Sequence, residues 1–371
     1  MQLTSTPAQV SSDDVQEFFL QRGWSDGLPV VPPTPDRVAA FVAAVGRRPG
    51  DVLARIPEQA REVTVEKLAI NAVMAGARAE YMDVLVAAVV AMGRPRYNLH
   101  STTVSGATAP LLIVSGPVVQ RIALNSRFSL FGPGHHANAT IGRAIRLLQQ
   151  NVCGGRPGVV DKATFGHPGK YSYCIAEDAA ASPWEPVHAD RGVDPAGSAV
   201  TVYAGEAPIM ARNDWSSDAG PVLDTIADAM LPSHFTGGGC TVVVGPLHAA
   251  AMARAGLSRA DVAEELFRRA RRTLTSLRRA GRLSGPVGAD EDTVERTVVP
   301  RPEDILVLVA GGHLYGYSAV VPAWIGGHES MAVTVPLDLA TAPDLEGAVA
   351  DLTHPGAGGL PASPTPGEAS S

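Results

Sequence analysis

Two stretches near the start of the chain, Val65–Met74 and 80–92, carry Ala, Val, Leu and Met on almost every side. A helix without a polar face has to be enclosed by other elements. These two are therefore expected to be buried helices, and whatever else forms must be built around them. Thr64 is a suitable N-cap for the first, and Gly76 stops it.

The flanking residues agree with a helical N-terminal region over 1–96. A short helix is expected over 12–23. The prolines of the Trp24–Thr34 stretch (WSDGLPVVPPT) then force an extended path. Thr34 precedes a proline-initiated helix over 35–45. Residues 48–61 read as a connector with one turn of helix.

From Asn98 the pattern changes. Residues 102–105 and 111–114 read as short strands and 118–123 as a short helix. A glycine-bearing loop over 131–140 runs into an amphipathic helix over 141–151. A long irregular stretch, 152–197, follows. Strands are expected at 199–203, 241–244, 305–310 and 333–337, with helices at 222–230 and 259–279 between them. This alternation predicts an α/β fold with a largely parallel sheet and flanking helices over 97–345, preceded by the helical N-terminal region. No internal repeat stands out. Residues 346–371 are rich in Pro, Gly and Ser and are expected to be a disordered tail.

Composition excludes several classes. The 371 residues are 45% hydrophobic and 18% charged, which suits a chain with a sizeable core. A net charge of −7 argues against nucleic acid or an anionic membrane surface as partner. The arginine run from Arg268 to Arg282 shares a helix with Glu264 and Glu265, so it reads as a solvated or subunit-contact face. No apolar run is long enough to span a membrane, and no signal peptide is expected. Three cysteines are too few for a disulfide framework, which fits the cytoplasm. Only Lys67, Lys162 and Lys170 among 30 basic residues are lysine, so each lysine is a rare choice.

Four constellations carry chemistry. The first is the loop and helix start from Gly132 to Arg143. Gly132 and Gly134 allow close backbone approach, and His135, Asn138 and Arg143 supply polar groups for an anion. It lacks the Gly-Lys-Ser/Thr of a nucleotide loop and the Gly-x-Gly-x-x-Gly of a dinucleotide fold. The second runs from Lys162 to Glu185, where Lys170, Tyr173, Glu177 and Trp184 gather in a chain poor in lysine and aromatics. Lys170 and Glu177 are acid/base candidates and Tyr173 a proton donor. The alternation over 170–177 reads as a strand. The third is the triple glycine with Gly238 and Gly239 before Cys240, flanked by His234 and His248. Cys240 reads either as a thiol nucleophile or as a buried apolar residue. The fourth is Gly311-Gly312-His313 after a buried strand, where His313 is a general acid/base candidate. No Cys-x-x-Cys or His-x-x-x-His spacing points to structural zinc.

Trp24–Thr34, Asn71–Gly76 (NAVMAG), Ala137–Arg143 (ANATIGR), Pro168–Ser172 and Ser182–Pro186 together resemble a bacterial family of UGSC-type (seleno)proteins. The resemblance covers roughly 15–330 and implies a shared fold and pocket, with no reaction attached. The family name denotes selenocysteine or cysteine followed by Gly-Ser-Cys. With Cys240 as the last position, this chain reads Gly-Gly-Gly-Cys, so the first redox atom is missing.

These readings favour a cytoplasmic enzyme acting on a small anionic metabolite by acid/base addition–elimination, lyase- or dehydratase-like, in a homo-oligomer. A thiol enzyme using Cys240, a metal enzyme using His135, His136 and His313, and a non-catalytic ligand-binding or scaffold subunit stay open. No cofactor is named by the sequence.

Overall fold

The computed structural model describes residues 2–11, 14–56, 59–102, 106–235, 237–288, 290–323 and 331–338. Most of the expected 102–105 strand and the whole 346–371 tail lie outside them. The N-terminal part holds α1 (Val15–Gln21), α2 (Pro35–Ala44), the hairpin of β1 (Val52–Ile56) and β2 (Arg61–Thr64), α3 (Val65–Met74) and α4 (Met82–Met92). Then come β3 (Ala109–Ser115), α5 (Val118–Arg121), α6 (His136–Asn151), β4 (Cys174–Ala176), β5 (Ala199–Gly205) and β6 (Ile209–Arg212). The second half holds α7 (Ala219–Met230), β7 (Cys240–Val244), α8 (Pro246–Arg254), α9 (Arg259–Arg269), β8 (Arg271–Thr273) and α10 (Leu274–Arg279). It ends with β9 (Glu295–Thr297), β10 (Ile305–Val309), β11 (Tyr317–Pro322) and β12 (Val333–Pro336).

The two apolar helices form where expected. Thr64 caps α3 by accepting the Lys67 N–H, and Gly76 takes a left-handed φ of +79°. Every residue of α4 except Asp83 is buried. The connector over 48–61 instead contains β1, whose hairpin with β2 packs against α4.

The largely parallel sheet does not form. Two four-stranded mixed sheets form instead, in the orders β12-β5-β3-β4 and β10-β7-β11-β6. Among the described strands only β3/β4 and β7/β10 run parallel; the other pairs are antiparallel. The physical reason is connection length. Helices link β3 to β4 and β7 to β10, so those strands return in the same direction, whereas β5 and β11 follow without a helical crossover and turn back antiparallel.

The sheets lie face to face between two helical layers. On β3, Leu111 and Ile113 face Val243, Leu306, Leu308 and Val321 of the other sheet. Their neighbours Leu112 and Val114 face α3, α4 and α6. Val242, Val244, Val307 and Val309 point the other way, onto α7, α8 and α9. Strands buried on both faces read as continuous apolar runs, and so they hid their mixed direction.

The sheets are topological copies. Each has a central strand, a parallel neighbour, an antiparallel neighbour and an antiparallel edge. The edges are exchanged: β6 follows β5 but joins β11, and β12 follows β11 but joins β5. The crossing strands meet at a Gly205–Ala323 bridge. Each central strand also ends in Gly-Pro pressed on its antiparallel neighbour. A Cβ on Gly116 would sit 2.2 Å from the Gly197 carbonyl oxygen, and one on Gly245 would sit 2.0 Å from that of Tyr317.

The segments that carry the family resemblance interlock. Arg143 on α6 makes two 2.8 Å bonds to Asp26. Gln150 donates to the Gly23 and Ser25 carbonyls, and Asn151 to Trp24 O and Asn71 Oδ1. Ser172 donates to Ala139 O, and α6 approaches it at Gly142, where a Cβ would lie 2.5 Å from the Tyr173 nitrogen. Among the described residues no helix is long and apolar enough to cross a membrane.

Two outcomes are expected from denaturant unfolding. Gly116→Ala and Gly245→Ala each lose about 2 kcal/mol or more through overpacking against a carbonyl. Gly220→Ala, with open space around it, is neutral or slightly stabilising. The Asp26 and Arg143 side chains are 9% and 14% exposed. Arg143→Met costs about 3 kcal/mol by leaving a largely buried carboxylate unpaired, and adding Asp26→Leu recovers part of it. An additive double variant would refute the coupling.

Candidate functional site

The strands define two ends of the sandwich. β3, β4, β7 and β10 all start at one end and finish at the other. At the finishing end the Asp178 N–H, just past β4, donates to Val309 O at the close of β10. At the starting end the Tyr203 hydroxyl donates to Gly239 O, just before β7.

The starting end gathers the densest set of polar chemistry. It is built around Gly205 and Glu206, where β5 leaves its sheet. A Cβ on Gly205 would lie 2.6 Å from Val321 Cγ1, so any larger residue would have to displace that side chain at the crossing. The Tyr173 hydroxyl donates to Glu206 O at 3.0 Å. Glu206 Oε1 lies 3.5 Å from His234 Nε2, and both side chains are partly exposed. The His167 ring stands edge-on to Tyr173, with centroids 5.4 Å apart, and Phe131 packs on the same tyrosine.

The tautomer of His167 follows from its partners. Nδ1 accepts the Gly169 N–H at 3.1 Å, so the ring proton sits on Nε2. That atom is buried and interacts with the Gly205 carbonyl without completing a hydrogen bond. Burial pulls the imidazole down to about 4, helped by the Lys170 and Arg146 charges. His167 is therefore neutral at pH 7, and its Nε2–H is a buried donor directed at the Gly205 carbonyl.

Lys170 is held by an ion pair. Its Nζ lies 2.7 and 2.9 Å from the Asp161 carboxylate and donates to Thr102 O at 3.4 Å. Arg146 donates to Lys170 O and lies 3.5 Å from Asp161. Burial lowers the Lys170 pKa, and the Asp161 hydrogen bond opposes the fall. Two buried cations share one carboxylate, so this side of the site carries excess positive charge. Tyr173 and Tyr203 are both raised by burial. Cys240 is buried and its thiol is pushed up to about 12.

Lys170, Tyr173, Cys240, Gly238 and Gly239 thus share the starting end. Glu177, Trp184 and His313 lie at the finishing end. Glu177 is sealed: both its oxygens accept the Val187 N–H at 3.0 and 2.9 Å, Arg259 is 3.6 Å away, and burial pushes it up to about 7. Trp184 donates to Leu257 O, with the Arg259 guanidinium 5.6 Å from its ring. His313 is exposed, its ring tilted against that of Phe128 with centroids 4.9 Å apart.

Two polar groups of the Gly132–Arg143 loop, Arg143 and Asn138, are committed inside the protein. Arg143 is neutralised by Asp26. Asn138 accepts the Asn125 N–H and donates to Asn125 O and Cys174 O. His135 occupies the N-cap of α6 without a side-chain cap, and Gly132 and Gly134 sit in an exposed turn. His136 Nδ1 lies 3.3 Å from the Tyr81 hydroxyl. Among the described residues no group of three His, Cys, Asp or Glu side chains could hold a metal ion.

Sequence reading missed Asp161 and Glu206, and passed over His167 inside a stretch it singled out. Glu206 carries one weak signal, a lone carboxylate just past a buried strand. Two further buried histidines are structural. The His188 Nε2–H faces Asp194 O, so Nδ1 accepts the Ser115 hydroxyl at 2.7 Å. His248 repeats this with Asn213 O and Ser318. Burial lowers both pKa values.

His167, His188 and His248 give the fold a pH dependence. Their folded pKa values lie below the 6.5 of the free side chain, so the unfolded chain binds more protons below that pH. Their contribution is complete above pH 6.5 and is lost as the pH falls toward about 4, the His167 value. Urea midpoints measured across this window should fall, and less steeply in His188→Asn. An equal slope in the variant would contradict the assignment.

No protein-family model matches the chain, and no curated protein matches it.

Proposed function

We propose that the chain is an enzyme that moves a proton on a small anionic metabolite, in a lyase- or dehydratase-like step, at the starting end of the sandwich. The observation that carries this reading is the grouping of His234–Glu206, neutral His167 and the Lys170–Asp161–Arg146 cluster around one strand crossing. A partly exposed imidazole beside a carboxylate suits proton transfer to and from a bound molecule. The excess cation attracts a carboxylate substrate. In this reading His234 is the acid/base group, Glu206 orients it, His167 supports the crossing with its buried Nε2–H toward Gly205, and Lys170 supplies charge rather than a free amine.

The thiol reading gains no support from a buried Cys240 whose pKa is raised to about 12, because the thiolate is the nucleophile. The resemblance to UGSC-type proteins is compatible with a shared site here, since Pro168–Ser172 contributes Lys170 to the cluster. Self-association and a cytoplasmic setting belong to the same proposal.

Deuterium exchange tests the reading across a whole class of acids at once. The protein is incubated in D2O with a panel of small hydroxy- and oxo-carboxylic acids, and loss of carbon-bound protons is followed by NMR. Exchange in at least one acid is expected, with His234→Gln and Glu206→Gln each slowing it about 100-fold or more. Lys170→Met should chiefly raise KM. Exchange at the wild-type rate in His234→Gln would refute the assignment.

A further inference from the structure

A large cleft lies away from this cluster and shares no residue with it. It opens between α1, α2, α3 and the β1–β2 hairpin and has a volume of about 1160 Å³. Small-molecule sites span roughly 300–1,000 Å³, so this one accepts a ligand of appreciable size. Phe18, Phe19, Trp24, Val38, Ile70 and Met74 form apolar walls. Trp24 remains 39% exposed although the aromatic rings of Phe18 and Phe19 pack on it, so the wall is open to a further apolar group.

The rim is positively charged. Arg55 pairs with Glu62 at 3.3 Å. The Glu66 carboxylate is consumed by the N-terminal segment, accepting Thr4 N–H, the Thr4 hydroxyl and Ser5 N–H at 2.7, 2.7 and 2.9 Å. That leaves Arg61 and Lys67, which donate only to the carbonyls of Val152 and Glu62. Both are exposed and have no carboxylate partner among the described residues. Asn151 lines the cleft and presents a buried Oδ1 with no donor, a position for a hydroxyl or a water. The segment from Leu3 to Val10 forms one side of the cleft, pinned at Thr4 and Ser5.

We propose that this cleft binds a small amphipathic carboxylate, with its hydrocarbon tail on the Phe18–Trp24–Ile70 wall and its carboxylate at Arg61 and Lys67, and that the N-terminal segment straps it in. Matching an apolar wall to a cationic rim selects an acid over an amine of the same length. A tail alone would gain from burial but not discriminate charge. Pinning by Glu66, which is itself buried, lets residues 6–10 move over the ligand while their anchor stays in place.

Calorimetric titration of the full chain with decanoate and with decyltrimethylammonium tests the site. Decanoate should bind one to one and roughly tenfold or more tighter than the cation. Arg61→Glu, at an exposed position that leaves the core intact, should weaken decanoate by a similar factor. Ile70→Glu should abolish binding, and deletion of residues 2–10 should speed release. The proposal is overturned by no saturable decanoate binding up to about 1 mM, by equal binding of acid and cation, or by unchanged affinity in Arg61→Glu. Neither result bears on proton exchange at His234, so the two proposals fail separately.

Discussion

Neither half of this protein can complete its own sheet. β6 grows out of the first half and pairs in the second sheet, and β12 does the reverse. An unpaired edge strand exposes a row of backbone donors and acceptors, and the exchange covers one such row on β11 and another on β5. It also ties the two sheets covalently at one end. The core between the sheets therefore closes only when both crossings are made, which couples the folding of residues far apart in the chain.

The crossing also makes the candidate site. Where β5 and β11 pass each other, the loops before β4 and β7 are drawn to the same end, and with them His167, Lys170, Tyr173, Glu206 and His234. At the opposite end the chain uses its polar groups to seal the structure. Glu177 and Arg259 form a buried pair with the exposed Asp190 on its outer side, and His188 and His248 hold their loops through hydroxyl and carbonyl partners. A strongly shifted pKa thus marks two different things in one molecule. Glu177 and Cys240 are shifted because water is excluded from them altogether. His167 is shifted while it stays beside partly exposed groups that could take part in proton transfer.

Some of this was legible from residue patterns. Helices α2, α3 and α4 followed from apolar composition and from Thr34, Thr64 and Gly76, each within one turn of the helix it bounds. Six of the twelve strands among the described residues, β3, β4, β5, β7, β10 and β12, were found, β4 by its alternation and the others as short apolar runs. Their directions were not, since a strand covered on both faces looks the same whichever way it runs, and the β1–β2 hairpin, β6, β8, β9 and β11 escaped notice. The scarcity of lysine and aromatics pointed at the stretch around Lys170 and Tyr173, which does reach the candidate site. Arg143 and Asn138 looked like ligand groups because their partners, Asp26 and Asn125, are remote or unremarkable in sequence.

The sequence by itself determined the places of α2, α3 and α4 and of half of the described strands, the burial of α3 and α4, and the neighbourhood of Lys170. These depend on capping, periodicity and composition, which act over a few residues. Only the tertiary structure decided which edges are exchanged, that Asp26 claims Arg143, that His234 meets Glu206, and that a cleft opens beside Lys67. Each of these is a pairing between residues separated by tens to hundreds of positions, chosen by which faces must leave water together, and no local pattern records that choice.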